Sequence, residues 1–158
     1  LSGLDSRRFI FEGFLPTDKK EKAQVLKSIE KETRTVIFYE APHRLKTTLK
    51  ELFESTGDRE AACVREITKK FEEVKKGNMS ELIEYYNVNE PKGEFVIVIG
   101  GADAQELKKE KIAAWESITV EEHVKKYMAE GMSEKDAMKQ AAKDRGITKR
   151  DIYAQLKK

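Results

Sequence analysis

Residues 35–44, with the sequence TVIFYEAPHR, decide the fold class of this chain. The first five are β-branched or aromatic, a run too short for a helix, and Pro42 ends it, so the stretch predicts a buried strand. Over 45–53, leucine and phenylalanine recur at the spacing of an amphipathic helix, which ends near Gly57. The sequence therefore predicts a strand that leads into a helix.

The same alternation extends along the first hundred residues. Further elements of both kinds are predicted, namely strands at 9–11, 61–64 and 95–99 and helices over 19–31 and 80–86. The charged segment 67–76 fits either a strand or a loop. Strands that alternate with helices indicate an α/β layered domain, here with a mixed sheet, over residues 1–101.

The rest of the chain predicts helices only. Residues 102–118 are expected to form a charged linker helix. Over 119–158, three capping signals each open a short helix, and a glycine-containing turn precedes the last one. This pattern is typical of a small helix-turn-helix-like module.

Composition narrows the class of protein. The longest apolar run, around 95–99, is far too short to cross a membrane, and the first residues lack the order of a signal peptide. Cys63 is the only cysteine, which excludes an intramolecular disulfide and fits a reducing compartment. It is expected as a small buried core residue. We therefore expect a cytoplasmic protein with no membrane association.

The net charge of +2 is unevenly distributed. Residues 1–118 carry 21 basic and 22 acidic side chains, whereas 119–158 carry 10 and 7. Any attraction to nucleic acid is therefore expected in the tail, although a solvated helical surface explains the bias about as well.

Standard catalytic and metal-binding signatures are absent from the sequence. It contains no Walker-type loop, no Gly-x-Gly-x-x-Gly, no Cys-x-x-Cys and no histidine pair at metal-ligand spacing. The two histidines, His43 and His123, are far apart, and His123 is expected on the surface of a charged helix.

Polar clusters follow three of the predicted strands. They have the sequences EGFLP at 12–16, YEAPHR at 39–44 and REITK at 65–69. Ligands bind at strand ends in open α/β sheets, so the clusters predict a site at one sheet edge. Purely structural roles are equally open, with the glycine and proline of the first cluster shaping a turn and the arginines forming scaffold ion pairs, Arg44 with Glu40 and Arg65 with Glu66.

These clusters carry a family resemblance. The blocks FEGFLP at 11–16, IFYEAPHRL at 37–45, REITK at 65–69 with FEE at 71–73, and KGEF at 92–95 occur in order and at natural spacing. They closely resemble the second half of the bacterial methyltransferases that modify the ribose 2'-hydroxyl in small-subunit rRNA, within the tetrapyrrole-methylase superfamily. Ala41 departs from the serine usual in that family, and the tail resembles the small helical domain that ends these proteins.

The resemblance implies an activity and an assembly. Such enzymes are homodimers of two-domain subunits that hold S-adenosylmethionine between the domains and methylate a cytidine in small-subunit rRNA. Residues 1–4 look like the junction after the first domain. This chain is therefore expected to be a C-terminal fragment, to supply one wall of the cofactor site, and to be inactive without the N-terminal domain.

Individual roles are assigned on physical grounds. Backbone and side chains after the second strand are expected along the cofactor, at Tyr39, Glu40 and Ala41. Basic side chains are expected toward phosphate or ribose, at His43, Arg44, Arg65 and Lys69. Glu66 is expected to orient or deprotonate a hydroxyl, because a carboxylate near cationic partners stays ionised.

Two other functions are compatible with the pattern. The α/β part could be only a scaffold in a nucleic-acid-binding or dimerisation module. Alternatively, the chain could be half of a corrin or porphyrin methylase, although the block at 40–44 and the basic tail favour the RNA enzyme.

Overall fold

The protein is described by a computed structural model that covers residues 1–156. It divides into two compact units, Leu1–Asp103 and Ala104–Lys158. The finer division into 1–101, 102–118 and 119–158 stays a prediction.

The first unit alternates strands and helices. In chain order these are β1 (Phe9–Phe14), α1 (Lys19–Ile29), β2 (Thr35–Glu40), α2 (Pro42–Thr56), β3 (Glu60–Arg65), β4 (Glu73–Asn78), α3 (Met79–Val88) and β5 (Phe95–Ile99). The predicted strands and helices are confirmed. The segment 67–76, which fitted either a strand or a loop, forms a loop followed by β4. The charged side chains of β4 suit an edge strand, because an edge strand must resist pairing with another chain.

The five strands form one mixed sheet in the order β1-β2-β5-β3-β4. β1 pairs parallel to β2, whereas β5 lies between β2 and β3 and is antiparallel to both. β1, β2 and β3 therefore run in the same direction. Their C-terminal ends meet at one sheet edge, together with the start of β5, and the predicted α/β fold with a mixed sheet is confirmed.

One face of this sheet carries the core of the first unit. Side chains that alternate along the central strands, such as Phe38 and Ile97, pack with Leu49 of α2 and Leu82 of α3. Cys63 is fully buried among them, and burial raises the pKa of its thiol to about 12. The expected core role of Cys63 is confirmed.

The second unit contains four helices in the described residues. They are α4 (Ala104–Ala114), α5 (Val120–Ala129), α6 (Glu134–Arg145) and α7 (Lys149–Leu156). A small core of Val124, Met138, Ala141 and Ile152 holds α5, α6 and α7 together. No helix within residues 1–156 is long and apolar enough to cross a membrane.

The expectation that His123 lies on the surface is wrong. Its side chain is fully buried, and its ring stacks on Trp115 with centroids 3.8 Å apart. Arg145 Nε donates a hydrogen bond to His123 Nδ1 at 3.1 Å. The sequence suggested a surface position because the neighbours of His123 are charged. His123 nevertheless lies one turn after Val120, on the apolar side of α5.

Candidate functional site

A pocket of about 600 Å³ opens at the sheet edge where β1 and β2 end and β5 begins. Its size falls within the range of small-molecule and cofactor sites. The lining residues come from all three expected strand ends and from the start of β5: Phe14, Tyr39, Glu40, Ala41, Pro42, Ile67, Lys69, Glu94, Phe95 and Val96.

A β-bulge brings Phe14 to the pocket. The register of β1 against β2 shifts between Phe11 and Gly13, and Gly13 has a φ of +72° that glycine adopts readily. Strict alternation would place Phe11 and Phe14 on opposite faces, yet both are exposed and both contact Tyr39. The centroid distances to the Tyr39 ring are 4.9 Å from Phe11 and 5.8 Å from Phe14.

Residues 39–41 line the pocket in different ways. Tyr39 presents its ring on the open face of the sheet. The Glu40 carboxylate is buried, and it accepts hydrogen bonds from Thr48 Oγ1 at 2.6 Å and from the Ala41 N–H at 2.8 Å. Because both carboxylate oxygens are engaged within the protein, the ring of Tyr39 is the side chain of this segment available to a ligand.

Arg44 belongs to the scaffold around the pocket. Its Nη2 donates to the carbonyl of Leu15 at 2.7 Å, and its Nε lies 3.7 Å from the Glu40 carboxylate. The ion pair proposed between Arg44 and Glu40 is therefore present, and it ties the loop after β1 to the start of α2. His43 is exposed in the first turn of α2 and does not line the pocket.

Glu66 joins the loop after β3 to the loop before β5. Its Oε1 accepts the N–H of Glu94 at 2.8 Å, and its own N–H donates to the Glu94 carbonyl at 2.9 Å. The hydrogen bond from the Glu94 amide, followed by that from Lys69, lowers the pKa of Glu66 against the opposing effect of burial. The carboxylate is therefore held ionised beside the pocket.

Lys69 bridges this junction to the pocket. Its Nζ lies 2.7 Å from Glu94 Oε2 and 3.4 Å from the Glu66 carboxylate. The hydrogen bond that Lys69 donates to Glu94, and the second one that it donates to Glu66, raise the pKa of Lys69. The Lys69 ammonium is therefore held in place at one side of the pocket, and the other side is largely aromatic.

Gly93 allows this junction to close. It has a φ of +82°, and a Cβ added there would lie 2.6 Å from Glu66 Oε1. Glu66 itself has a φ of +49°, which is uncommon for a residue with a side chain. The tight approach of the two loops therefore depends on glycine at this position.

Arg65 lies away from the pocket. Its Nε is 3.5 Å from Glu73 Oε2, and its Nη2 donates to the carbonyl of Phe71 at 3.4 Å. Together with Tyr85 and Pro91 it lines a separate depression. The ion pair of Arg65 is therefore made with Glu73, and not with Glu66 as considered from the sequence.

The structure thus brings together four of the expected residues, Tyr39, Glu40, Ala41 and Lys69, with Glu66 adjacent through Lys69. Six further lining residues had no individual role in the sequence prediction, namely Phe14, Pro42, Ile67, Glu94, Phe95 and Val96. Phe14, Pro42 and Ile67 lie inside the three predicted clusters, and the glycine before Phe14 marks a possible bulge. The start of β5, which supplies the other three, gave no such signal. No cluster of metal-ligand side chains occurs among the residues that the structure describes.

A large part of the chain matches a known protein family. Residues 2–83, more than half of the chain, match the family model for tetrapyrrole (corrin/porphyrin) methylases. The chain belongs to this family. The match covers the segments that supply Phe14, residues 39–42 and Lys69, so most of the pocket of this tetrapyrrole methylase chain falls inside the matched region.

Three similar proteins are named ribosomal RNA small subunit methyltransferase I. The chain is 45% identical to the one from Bacillus subtilis over 152 residues, which cover 96% of this chain and 52% of that protein. For the protein of Halalkalibacterium halodurans the identity is 41%, with the same coverage, and for that of Synechocystis it is 37%. The chain therefore spans about half the length of these relatives.

A solved structure of another methylase was also found. It is a cobalamin biosynthetic enzyme, cobalt precorrin-4 methyltransferase, with 18% identity and a TM-score of 0.46. The match covers 59% of this chain and 40% of that one.

Proposed function

We propose that this chain is part of an S-adenosylmethionine-dependent methyltransferase that methylates the ribose 2'-hydroxyl of a cytidine in small-subunit rRNA. The observation that carries the proposal is the pocket formed by the family blocks at one sheet edge. Support for the RNA substrate comes from the 45% identity to a relative named as an rRNA methyltransferase, which extends over 96% of the chain.

The pocket has the chemistry to hold this cofactor. S-adenosylmethionine has a flat adenine, a positively charged sulfonium that supplies the methyl group, and an amino-acid end with a carboxylate. The rings of Phe14 and Tyr39 suit adenine or the sulfonium, since aromatic faces attract both flat rings and cations. The amino-acid end carries both charges, and the pocket wall at Lys69 and Glu94 also offers both signs of charge, while the backbone of residues 39–41 offers hydrogen-bonding groups.

Glu66 fits one of its two expected roles better than the other. A carboxylate whose pKa is lowered is a weak base, and the Glu66 oxygens are already engaged by the Glu94 amide and Lys69. We therefore propose that Glu66 orients groups at the site and does not remove a proton. We also propose that phosphate or ribose is contacted by His43, Arg44 and Arg65. Arg44 has a structural role as well.

We further propose that this chain forms only one wall of the cofactor site, that it is inactive alone, and that the complete enzyme is a homodimer. Two observations support a shared site: the chain matches about half of each relative, and the rings at the pocket are exposed.

Calorimetric titration tests the shared site. We expect the 158-residue chain to bind S-adenosylmethionine at least tenfold more weakly than a protein of the relatives' full length. In that longer protein, Tyr39→Ala should weaken binding about tenfold, because stacking on a ring contributes roughly 1–3 kcal/mol. Equal affinity of the short and long proteins would overturn the shared site.

Methyl transfer tests the substrate. The full-length protein with labelled S-adenosylmethionine should transfer label to small-subunit rRNA, and the labelled nucleotide should be a cytidine that resists alkaline cleavage, since cleavage needs a free 2'-hydroxyl. A corrin precursor serves as the competing substrate. Transfer to the corrin and not to rRNA would overturn the proposal in favour of a biosynthetic methylase.

A further inference from the structure

The exposed side of α6 and α7 carries lysines that form no ion pair with another described residue. Lys135, Lys139 and Lys143 recur every four residues along α6, and Lys149 follows in the first turn of α7. All four are exposed, and within residues 1–156 no acidic partner is described for them. We call these four lysines the α6–α7 basic surface.

The nearby acids are largely engaged elsewhere. The carboxylate of Asp136 accepts the hydroxyl of Ser133, and that of Asp151 accepts the N–H and hydroxyl of Thr148, so both are held at helix starts. Asp144 accepts Tyr127 Oη and the side-chain amide of Gln140. Three of the four acidic side chains on these two helices are therefore held by hydrogen bonds, either at helix starts or toward the interior of the unit.

Two other basic residues of this unit show the contrast. Lys125 on α5 lies 2.7 Å from the Glu121 carboxylate. Arg145 on α6 points inward, where its guanidinium donates to the carbonyls of Ile118 and Thr119 and to His123. The unit thus uses some cations for its own structure and leaves the basic surface available to a partner.

The position of these lysines suits a phosphate backbone. Lys139 and Lys143 lie one helical turn apart, about 6 Å, and only five residues separate Lys143 from Lys149. Flexible ammonium groups at such spacing can follow successive phosphates, whose attraction to cations is the main source of affinity in nucleic-acid binding.

We propose that the α6–α7 basic surface binds the phosphate backbone of the rRNA substrate. This inference rests on the proposed function in that the partner is rRNA. It goes beyond that function by assigning RNA affinity to a surface on the second unit, separate from the pocket of the first.

Salt-dependent RNA binding by the 158-residue chain provides the test. The probe is a transcript of small-subunit rRNA, and the dissociation constant is measured from 50 to 300 mM KCl. The test variant carries Lys139→Gln, Lys143→Gln and Lys149→Gln. The control variant carries Lys19→Gln, Lys20→Gln and Lys50→Gln, which removes the same charge from exposed positions of the first unit.

The test variant should bind roughly 100-fold more weakly at 0.1 M salt. Its log–log salt slope should be smaller by about 2 to 3, because each lost phosphate contact removes roughly 0.7–0.9 from the slope. The control should keep the wild-type slope within about 0.5. Melting temperatures within a few degrees of wild type would show that both variants are folded, since all six lysines are exposed.

Three results would overturn the inference. The test and control variants could lose the same affinity, which would indicate general attraction to net charge. The test variant could instead change only the oligomeric state seen by size exclusion, which would indicate a protein contact. Third, the wild-type chain could bind no RNA. The proposed function would still be decided separately, by the methyl-transfer experiment with the full-length protein.

Discussion

At the scale of single residues, the junction between Glu66 and Gly93 makes a sharp prediction. Gly93→Ala should destabilise the first unit by about 2–4 kcal/mol, because alanine must keep a positive φ and the Glu66 side chain must shift and lose its hydrogen bond from the Glu94 amide. Denaturant unfolding followed by circular dichroism would measure the loss.

Gly13→Ala is the matched control for this prediction. Gly13 has a φ of +72°, but a Cβ there meets nothing within 4 Å. The variant should therefore lose only about 1–2 kcal/mol from backbone strain. Equal losses at Gly13 and Gly93 would show that contact with the Glu66 carboxylate is unimportant.

The buried Glu40 carboxylate gives a second prediction at this scale. Thr48→Val removes the hydroxyl that donates to Glu40 Oε2 and should lower the unfolding free energy by about 1–3 kcal/mol, since a buried carboxylate oxygen loses its partner. Thr47→Val, at the exposed neighbouring position, should change it by less than about 0.5 kcal/mol. Thr48→Ser, which keeps a hydroxyl, should recover part of the loss.

At the scale of elements, the stability of the packing between α5, which carries His123, and α6, which carries Arg145, should depend on pH. Burial, and then the charge of Arg145, lowers the pKa of His123 below its ordinary 6.5, with Asp144 opposing and Lys126 adding to the shift. Protonation at Nδ1 would also break the hydrogen bond that Arg145 donates. The unfolded state therefore binds a proton at His123 more readily than the folded state does. The stability that depends on neutral His123 is fully present above pH 6.5 and is lost as the pH falls below 6.5.

Trp115 allows this loss to be measured, because it is the only tryptophan and stacks on His123. The denaturant midpoint from its fluorescence should fall between pH 7 and pH 5. His123→Phe keeps a flat ring but cannot be protonated, so its midpoint should change less over that interval. A wild-type midpoint that stays constant from pH 7 to pH 5 would contradict the prediction.

Elements also show how far the sequence could predict this protein. Elements with a clear apolar pattern were predictable because local pattern and burial agree, as in the continuous apolar run of β5 and the helical spacing of α2. The edge strand β4 was ambiguous, since its charged residues give no period. Within the site, Tyr39 could be found from its place at the end of a strand and Lys69 from its place in the loop after one. The Glu40 carboxylate is held by Thr48, eight residues later, and strand patterns do not reveal that contact.

At the scale of the whole molecule, each unit has its own core. The core cluster of the first unit includes no residue beyond Ile99, and that of the second begins at Val120. Residues 1–103 alone should therefore fold, with a melting temperature within about 10 °C of the first transition of the whole chain. Thermal circular dichroism of the two proteins is the measurement, and a non-cooperative melt of the shorter one would contradict it.

The central position of β5 has a consequence during protein synthesis. β2 and β3 do not pair with each other, and only β5, the last strand to be made, joins them. Until residue 99 has left the ribosome, the nascent chain holds two separate strand pairs with unpaired edges that another chain could use. The second unit is made after β5, and its translation gives β5 time to emerge and insert. Ribosome-bound chains stopped just after β5 should therefore be more sensitive to protease than chains stopped near the end of α7.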